Sequence, residues 1–387
     1  MGMRVAIVTE SFLPSLNGVT NSVLRVLDTL AAEGHDAIVI APTAPFGRHN
    51  GFRVIRTPAI PFMQFPVGLP NLSLQATLAE YRPDVVHVAS PFLLGGQAIA
   101  AANRLGIPTV AIYQTDIAGY LQRYGMHFAR PLVDKMVAAI HAPATLNLAP
   151  TPESAAYLLK LGVPRVAIWG RGVDLDLFHP NRRTGHALPW ANADEPLTIG
   201  FVGRLAPEKQ VHKMKTLFGM TNTRFIVVGD GPERRRLEAE FAGYPVTFTG
   251  ALQGTQLADA YASLDIFVHF GTEETFGQTI QEAQAAGLPV VAPASGGPRF
   301  LIDHGTSGFL ADPAEPAHFV ELVQRLTADA SLRARMGEAA RRSVSNKSWA
   351  ANNALLMKHL RHTCNFAVTD ASDAVPSGAS AQPVRRS

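Results

Sequence analysis

Short apolar, β-branched runs alternate along this chain with segments in which apolar residues recur every three or four positions. Residues 5–9 form the first such run, and residues 37–40, 54–55, 85–88, 110–113, 146–149 and 166–169 repeat it. After a polar loop at 14–19, Val23, Val26, Leu27 and Leu30 fall on one face of a predicted helix that Gly34 closes. Helical or turn-rich segments follow at 72–81 and 95–105. Strand and helix in alternation predict a parallel sheet covered by helices. The periodicity stops over 181–196, where Asn, Arg, Gly, His, Pro and Asp collect, and this stretch reads as an interdomain linker. It then restarts, with strand candidates at 197–202, 224–228, 246–249, 266–269 and 290–292 and helices at about 234–241, 257–263 and 279–286. A second doubly wound domain is expected. The predicted layout is a first domain over 1–180, the linker 181–196, a second domain over 197–348, and a helix over 349–365 that packs back on the first domain. Residues 366–387, rich in Ala, Ser, Asp, Pro and Val, are expected to be a disordered tail.

Composition sharpens this outline. The chain has 387 residues, 47% of them hydrophobic, enough for two ordinary cores. Its 34 basic and 31 acidic residues leave a net charge of +3, too even for a dedicated nucleic-acid binder but compatible with an anionic ligand. The single cysteine, Cys364, excludes an internal disulfide framework and any cysteine-based metal site, and implies a reducing compartment. No secretory leader is evident, and no apolar run is long enough to span a membrane. Met1-Gly2 resembles a myristoylation start, but Ala6 stands where a serine or threonine is required.

Three segments carry candidate chemistry. Gly203, Arg204 and Lys209 follow the strand that ends at 202, in the kind of loop that faces the ligand crevice of an open parallel sheet. Two fixed cations there suit a diphosphate whose charge grows as its bond to a sugar breaks; an ordinary solvated loop is the alternative. Gly229 and Asp230 end the next strand, where glycine lets backbone approach a ligand, although glycine turns end many strands. The third segment runs from Gly271 through Glu274, Thr275, Phe276, Gly277 and Gln278 to Glu282. If helix begins at Phe276, the amides of 275–278 form an anion site and Glu282 lies about two turns further in. Glu274 alone also suits a helix whose acid complements its dipole, whereas Glu282, beside Ala283, Ala285 and Ala286, does not.

Other patterns are weaker. The loop 14–19 could lie over a pyrophosphate or be a plain strand-to-helix turn, and Arg171-Gly172-Val173-Asp174 reads as a structural turn. A mixed aromatic, basic and apolar stretch at about 120–140, with Asp134 and Lys135, suits an anionic lipid surface or, more ordinarily, an amphipathic helix packed on the sheet. No zinc-type histidine spacing, P-loop or G-x-S-x-G occurs, and the lack of G-x-G-x-x-G at 6–11 counts against a dehydrogenase.

Together, Asn17-Gly18-Val19, Arg204 with Lys209, and the Glu274/Glu282 pair resemble the retaining GT-B glycosyltransferases of family GT4. Residues 5–14, 111–120, 200–211 and 261–283 are most similar to the actinobacterial GDP-mannose-dependent α-mannosyltransferases that modify lipid acceptors. The resemblance implies two Rossmann-like domains facing each other across a cleft. It implies that Arg204 and Lys209 bind the donor diphosphate and stabilise the leaving group. Glu282 would hold the ribose and Glu274 the donor sugar. Gly18 and Val19 would close over the phosphates, with Gly203, Gly229, Asp230 and the 275–278 backbone around the donor. It implies no metal and no cofactor beyond the nucleotide sugar. Where many relatives carry a histidine, this chain has Gln114-Thr115-Asp116. Gln114 can hydrogen-bond a sugar hydroxyl, and Asp116 can act as acid or base or meet the acceptor. Asn17 replaces the first glycine of the usual Gly-Gly-Val, and asparagine tolerates a positive φ there.

The resulting expectation is a mannosyltransferase acting from GDP-mannose on phosphatidylinositol, its mannosides or a glucuronosyl diacylglycerol, in the cytoplasm at the inner face of the cell membrane. It would touch that membrane peripherally and bind no nucleic acid. UDP-glucose or UDP-sulfoquinovose as donor, and a non-catalytic sugar-nucleotide-binding protein, are the competing readings.

Overall fold

The computed structural model describes residues 2–15, 17–42, 47–62, 65–68, 73–114, 130–183 and 196–369. The first sheet is built from β1 (Arg4–Val8), β2 (Asp36–Ala41), β3 (Arg48–His49) and β4 (Phe52–Arg56). After a separate hairpin, β5 (Ala59–Phe62) and β6 (Phe65–Gly68), it continues with β7 (Val85–Val88), β8 (Thr109–Ile112), β9 (Leu146–Ala149) and β10 (Val166–Ile168). Its order is β10-β9-β8-β7-β1-β2-β4-β3, parallel except for the β3–β4 edge. The helices α1 (Gly18–Ala32), α2 (Ser73–Tyr81), α3 (Leu93–Arg104), α4 (Arg130–His141) and α5 (Pro152–Lys160) lie between the strands in sequence. Strand alternation accounts for two buried faces. Val5 and Ile7 join one core with Val23, Val26, Leu27 and Leu30 of α1, while Ala6 and Val8 join the opposite core with Leu94, Ala98 and Ile99 of α3.

The second sheet, β13-β12-β11-β14-β15-β16, is parallel throughout. Its strands are β11 (Leu197–Val202), β12 (Thr223–Val228), β13 (Val246–Gly250), β14 (Ile266–Val268), β15 (Val290–Pro293) and β16 (Gly308–Ala311). Helices α6 (Arg234–Glu240), α7 (Gly254–Ala262), α8 (Gln278–Ala285), α9 (Pro298–Leu301), α10 (Pro316–Ala328) and α11 (Ala330–Val344) complete it. The β5–β6 hairpin, β16, α10 and α11 go beyond the elements expected from the pattern.

The last helix, α12 (Trp349–Thr369), returns to the first domain. Leu356, Met357 and Leu360 enter its core beside Leu27, Leu30 and Trp169. Asn353 donates to Arg25 O and Thr29 Oγ1 at 2.8 Å each, so a buried amide ties α12 to α1. The helix runs past the expected end at 365: residues 366–369 are helical rather than part of a tail. Residues 370–387 and the linker residues 184–195 lie outside the described residues.

Candidate active site

In the second sheet the chain winds outward from β11 in both directions, so β11 and β14 flank the point where the strand order reverses. Loops leaving these two strands diverge and open a crevice at their carboxyl ends. Gly203 starts the first loop with φ +155 and donates to Val228 O at 3.0 Å. Gly229, at φ +137, packs against it so closely that a β-carbon there would lie 1.9 Å from Gly203 O. The adjoining loop thus requires glycine at this position, whatever it does for a ligand. Asp230 is likewise held within its turn, accepting from Gly231 N at 2.7 Å and Arg234 Nη1 at 3.1 Å.

Lys209 and Glu274 meet across the crevice in an ion pair that joins the β11 and β14 loops. Gln210 Nε2 reinforces the junction by donating to Thr272 Oγ1 at 3.0 Å. Arg204, from the same loop, pairs with Glu208. The loop carrying Glu274 rests on the loop after β15. Gly297 N donates to Glu274 O at 2.6 Å, Ser295 Oγ donates to Thr272 O at 2.7 Å, and a β-carbon on Gly297 would meet Phe276 O at 2.1 Å.

Helix α8 begins at Gln278, two residues later than Phe276, because Gly277 adopts φ +95 and cannot continue a right-handed helix. Glu282 is therefore little more than one turn into α8, and Thr275 and Phe276 belong to the loop before it. Thr275 Oγ1 donates to Gln114 O at 3.3 Å, and Gln278 Nε2 donates to Gly172 O at 3.0 Å, so both reach the first domain. Glu282 accepts from Tyr261 Oη at 2.9 Å.

The two carboxylates have opposite electrostatic characters. Burial acts to raise Glu274, but Lys209, His269 and Arg171 outweigh it and hold the group down at about 2. Burial pushes Glu282 up to about 7, although the hydrogen bonds from Tyr261 and Gln278 and the charge of Arg171 oppose the shift. His269 is only 1% exposed, stacks on Phe201 and is lowered to about 4 by burial, so it stands beside Glu274 as a neutral ring.

The first domain contributes the loop after β1. Asn17 caps α1, accepting from Val19 N and Thr20 N at 3.0 Å with φ −151. The asparagine thus serves as an N-cap in extended backbone, and tolerance of a positive φ plays no part. Gly18 opens α1; a β-carbon on it would lie 2.1 Å from Arg171 Nη1. Gln114 is anchored at both ends of its amide: Nε2 donates to Ala89 O at 2.9 Å, and Oε1 accepts from Arg171 Nη2 at 2.9 Å. Asp116 lies outside the described residues, as does the 120–129 part of the mixed stretch. The remainder of that stretch forms α4, with Val133 and Val137 turned into the core and Leu132 72% exposed. A cavity of about 260 Å³ opens between the domains, lined by Tyr113, Arg130, Glu153 and Tyr157 on one side and Glu273, Glu274 and Thr275 on the other.

His269 and Tyr261 were not singled out from sequence, and Arg171 was read only as part of a structural turn. The signal for Arg171 was present: it follows β10, and the rule that singled out Arg204 applies equally to the loop after that strand. The Gly172–Asp174 part is structural as expected, with Val173 bridged to Ser348 and Asp174 Oδ1 accepting from Leu177 N.

Two parallel α/β domains meeting over a crevice at a strand-order reversal form the GT-B fold. Its backbone is similar to a crystal structure of an Anabaena protein, Alr3699/HepE, solved with UDP-glucose (TM-score 0.76, 20% identity, 93% of this chain and 100% of that one). Residues 16–177 match the family described as Glycosyltransferase Family 4, and residues 189–343 match Glycosyl transferases group 1. A GDP-mannose-dependent alpha-mannosyltransferase of Corynebacterium glutamicum is 43% identical over 92% of this chain and 88% of its own length. One from Mycolicibacterium smegmatis is 44% identical over 90% and 94%. The chain belongs to glycosyltransferase family 4.

Proposed function

We propose that this glycosyltransferase moves mannose from GDP-mannose to a lipid-linked acceptor with retention of the α configuration. The observation that carries the reading is 43% and 44% identity, over nearly the whole chain, to two relatives named as GDP-mannose-dependent alpha-mannosyltransferases. The second domain, 197–348, binds the nucleotide sugar, and the first, 1–180, binds the acceptor. Lys209, already in the crevice, and Arg204, once it leaves Glu208, neutralise the diphosphate as the bond from mannose C1 to the phosphate oxygen breaks. Glu274 is ionised across the neutral pH range and accepts from donor-sugar hydroxyls, and Glu282 accepts from the ribose. The acceptor hydroxyl attacks from the leaving-group side and passes its proton to the departing diphosphate oxygen. The protein needs no metal for this, since Arg204 and Lys209 supply the positive charge.

The acceptor is a phosphatidylinositol, one of its mannosides or a glucuronosyl diacylglycerol, presented at the inner face of the cell membrane. The exposed Leu132 and the cations Arg130 and Lys135 on α4 support peripheral contact with an anionic surface near the cavity mouth. Calorimetric titration with GDP and with UDP, each with and without a metal chelator, tests the donor. GDP is expected to bind more tightly in both conditions. Tighter UDP binding overturns the mannosyl reading, and loss of binding on chelation overturns metal independence.

A further inference from the structure

Arg171 occupies the seam where the two domains converge. Its own backbone is pinned to the second domain, with Gln281 Nε2 donating to Arg171 O at 3.1 Å and Gln278 Nε2 donating to the next carbonyl, Gly172 O, at 3.0 Å. The guanidinium turns toward the first domain. Nη2 donates to Gln114 Oε1, and Nη1 occupies the space a side chain at Gly18 would need. The side chain is therefore fixed in position and direction.

Its surroundings are electrostatically incomplete. Among the described residues no carboxylate lies within 4 Å of it, although Lys209 and Arg204 each have such a partner. Burial disfavours its charge, and the more distant Glu274 and Glu282 offset this only in part. It also sits against the first residue of α1, where a helix presents its positive end. A partly desolvated cation held at a helix N-terminus is unfavourable unless an anion comes between them. The five N–H groups of a guanidinium can serve such an anion in bidentate fashion while one still holds Gln114.

We propose that Arg171 is a donor-binding residue that grips the diphosphate of the nucleotide sugar from the first-domain side, opposite Lys209. The inference rests on the donor-site reading above and adds a third cation to it. It also gives Gln114 a role: the amide, tied to Ala89 O, aims the guanidinium rather than serving the acceptor. Gly18 is then glycine because Arg171 needs the room.

The test compares GDP with GMP, which differ by the phosphate Arg171 is meant to hold. Affinities of both are measured by calorimetry for the wild type, Arg171→Gln and Arg171→Lys, with melting temperatures in parallel. The GDP-over-GMP preference is expected to fall about tenfold or more in Arg171→Gln and to be partly restored in Arg171→Lys. A wild-type preference in Arg171→Gln, or in Arg171→Ala should the glutamine variant fail to fold, overturns the proposal, as does an equal loss for both nucleotides, the mark of a purely structural residue. A wild type that binds neither GDP nor UDP overturns the donor-site reading itself.

Discussion

At the scale of single residues, the Lys209–Glu274 pair is the centre of the account. Removing Lys209 takes away the crevice cation and leaves Glu274 partly buried without its nearest counter-charge. Lys209→Ala is therefore expected to lower kcat/KM for GDP-mannose at least a hundredfold, about 2.7 kcal/mol or more, comparable to loss of one preorganised donor to a developing anion. Steady-state turnover checks this, and activity within about tenfold of wild type contradicts the role. Glu282 makes a pH prediction of definite sign. Its pKa is raised to about 7, so it is protonated below that pH and a carboxylate above it. Binding through its carboxylate makes affinity for GDP-mannose rise about tenfold between pH 6 and 8, and Glu282→Gln flattens that profile. Calorimetry across this range checks both. Glu274, held down at about 2, adds no slope there. Lys209, Glu274 and Glu282 were legible in the sequence because a strand-end loop and a fixed spacing identify them without coordinates. The loop after β10 offered the same signal for Arg171, but its contacts with Gln114 and Gly18, 57 and 153 residues away, were not legible, since they are remote in sequence.

At the scale of elements, the site depends on loops braced against one another. The β14 loop is positioned by the loop after β15, and the absence of a side chain on Gly297 sets how closely they approach. Gly297 has φ −52, so alanine there strains no backbone and acts only through its methyl. Gly297→Ala is expected to cost about 1–3 kcal/mol of stability by overpacking and to displace Glu274. Urea denaturation reads the first effect and turnover the second. The start of α8 shows why sequence alone misjudged this region. Glu274 to Glu282 has a helical composition, but the positive φ of Gly277 delays the helix until Gln278. A glycine can sit inside a helix or stop one, and its φ is not written in the pattern. Asn17 gave the converse case, where an assumed backbone need turned out to be a side-chain cap.

At the scale of the molecule, α12 joins the second domain to the first. Leu360 is fully buried in the first core, far in sequence from the strands it covers. Leu360→Ala is expected to destabilise the protein by about 2–5 kcal/mol, read from the urea midpoint, with the donor loops untouched. The doubly wound architecture was legible because interior parallel strands must be apolar on both faces and stand out as short β-branched runs. The β5–β6 hairpin and β16 were less so. Pro61 and Pro66 interrupt the hairpin's alternation, and β16 is only four residues long and opens on Gly308, which weakens its apolar signal. Domain orientation, which assembles the crevice from Gln114, Arg171, Lys209, Glu274 and Glu282, leaves no local trace in a sequence.

The most direct test of the central claim is transfer itself. The wild-type protein is incubated with GDP-mannose, or with UDP-glucose, and vesicles carrying phosphatidylinositol or glucuronosyl diacylglycerol, and products are read by mass analysis and anomeric NMR. The account predicts a lipid heavier by one hexose, formed from GDP-mannose, with the α configuration. A β-linked product, transfer from UDP-glucose in preference to GDP-mannose, or no transfer to any lipid would contradict it.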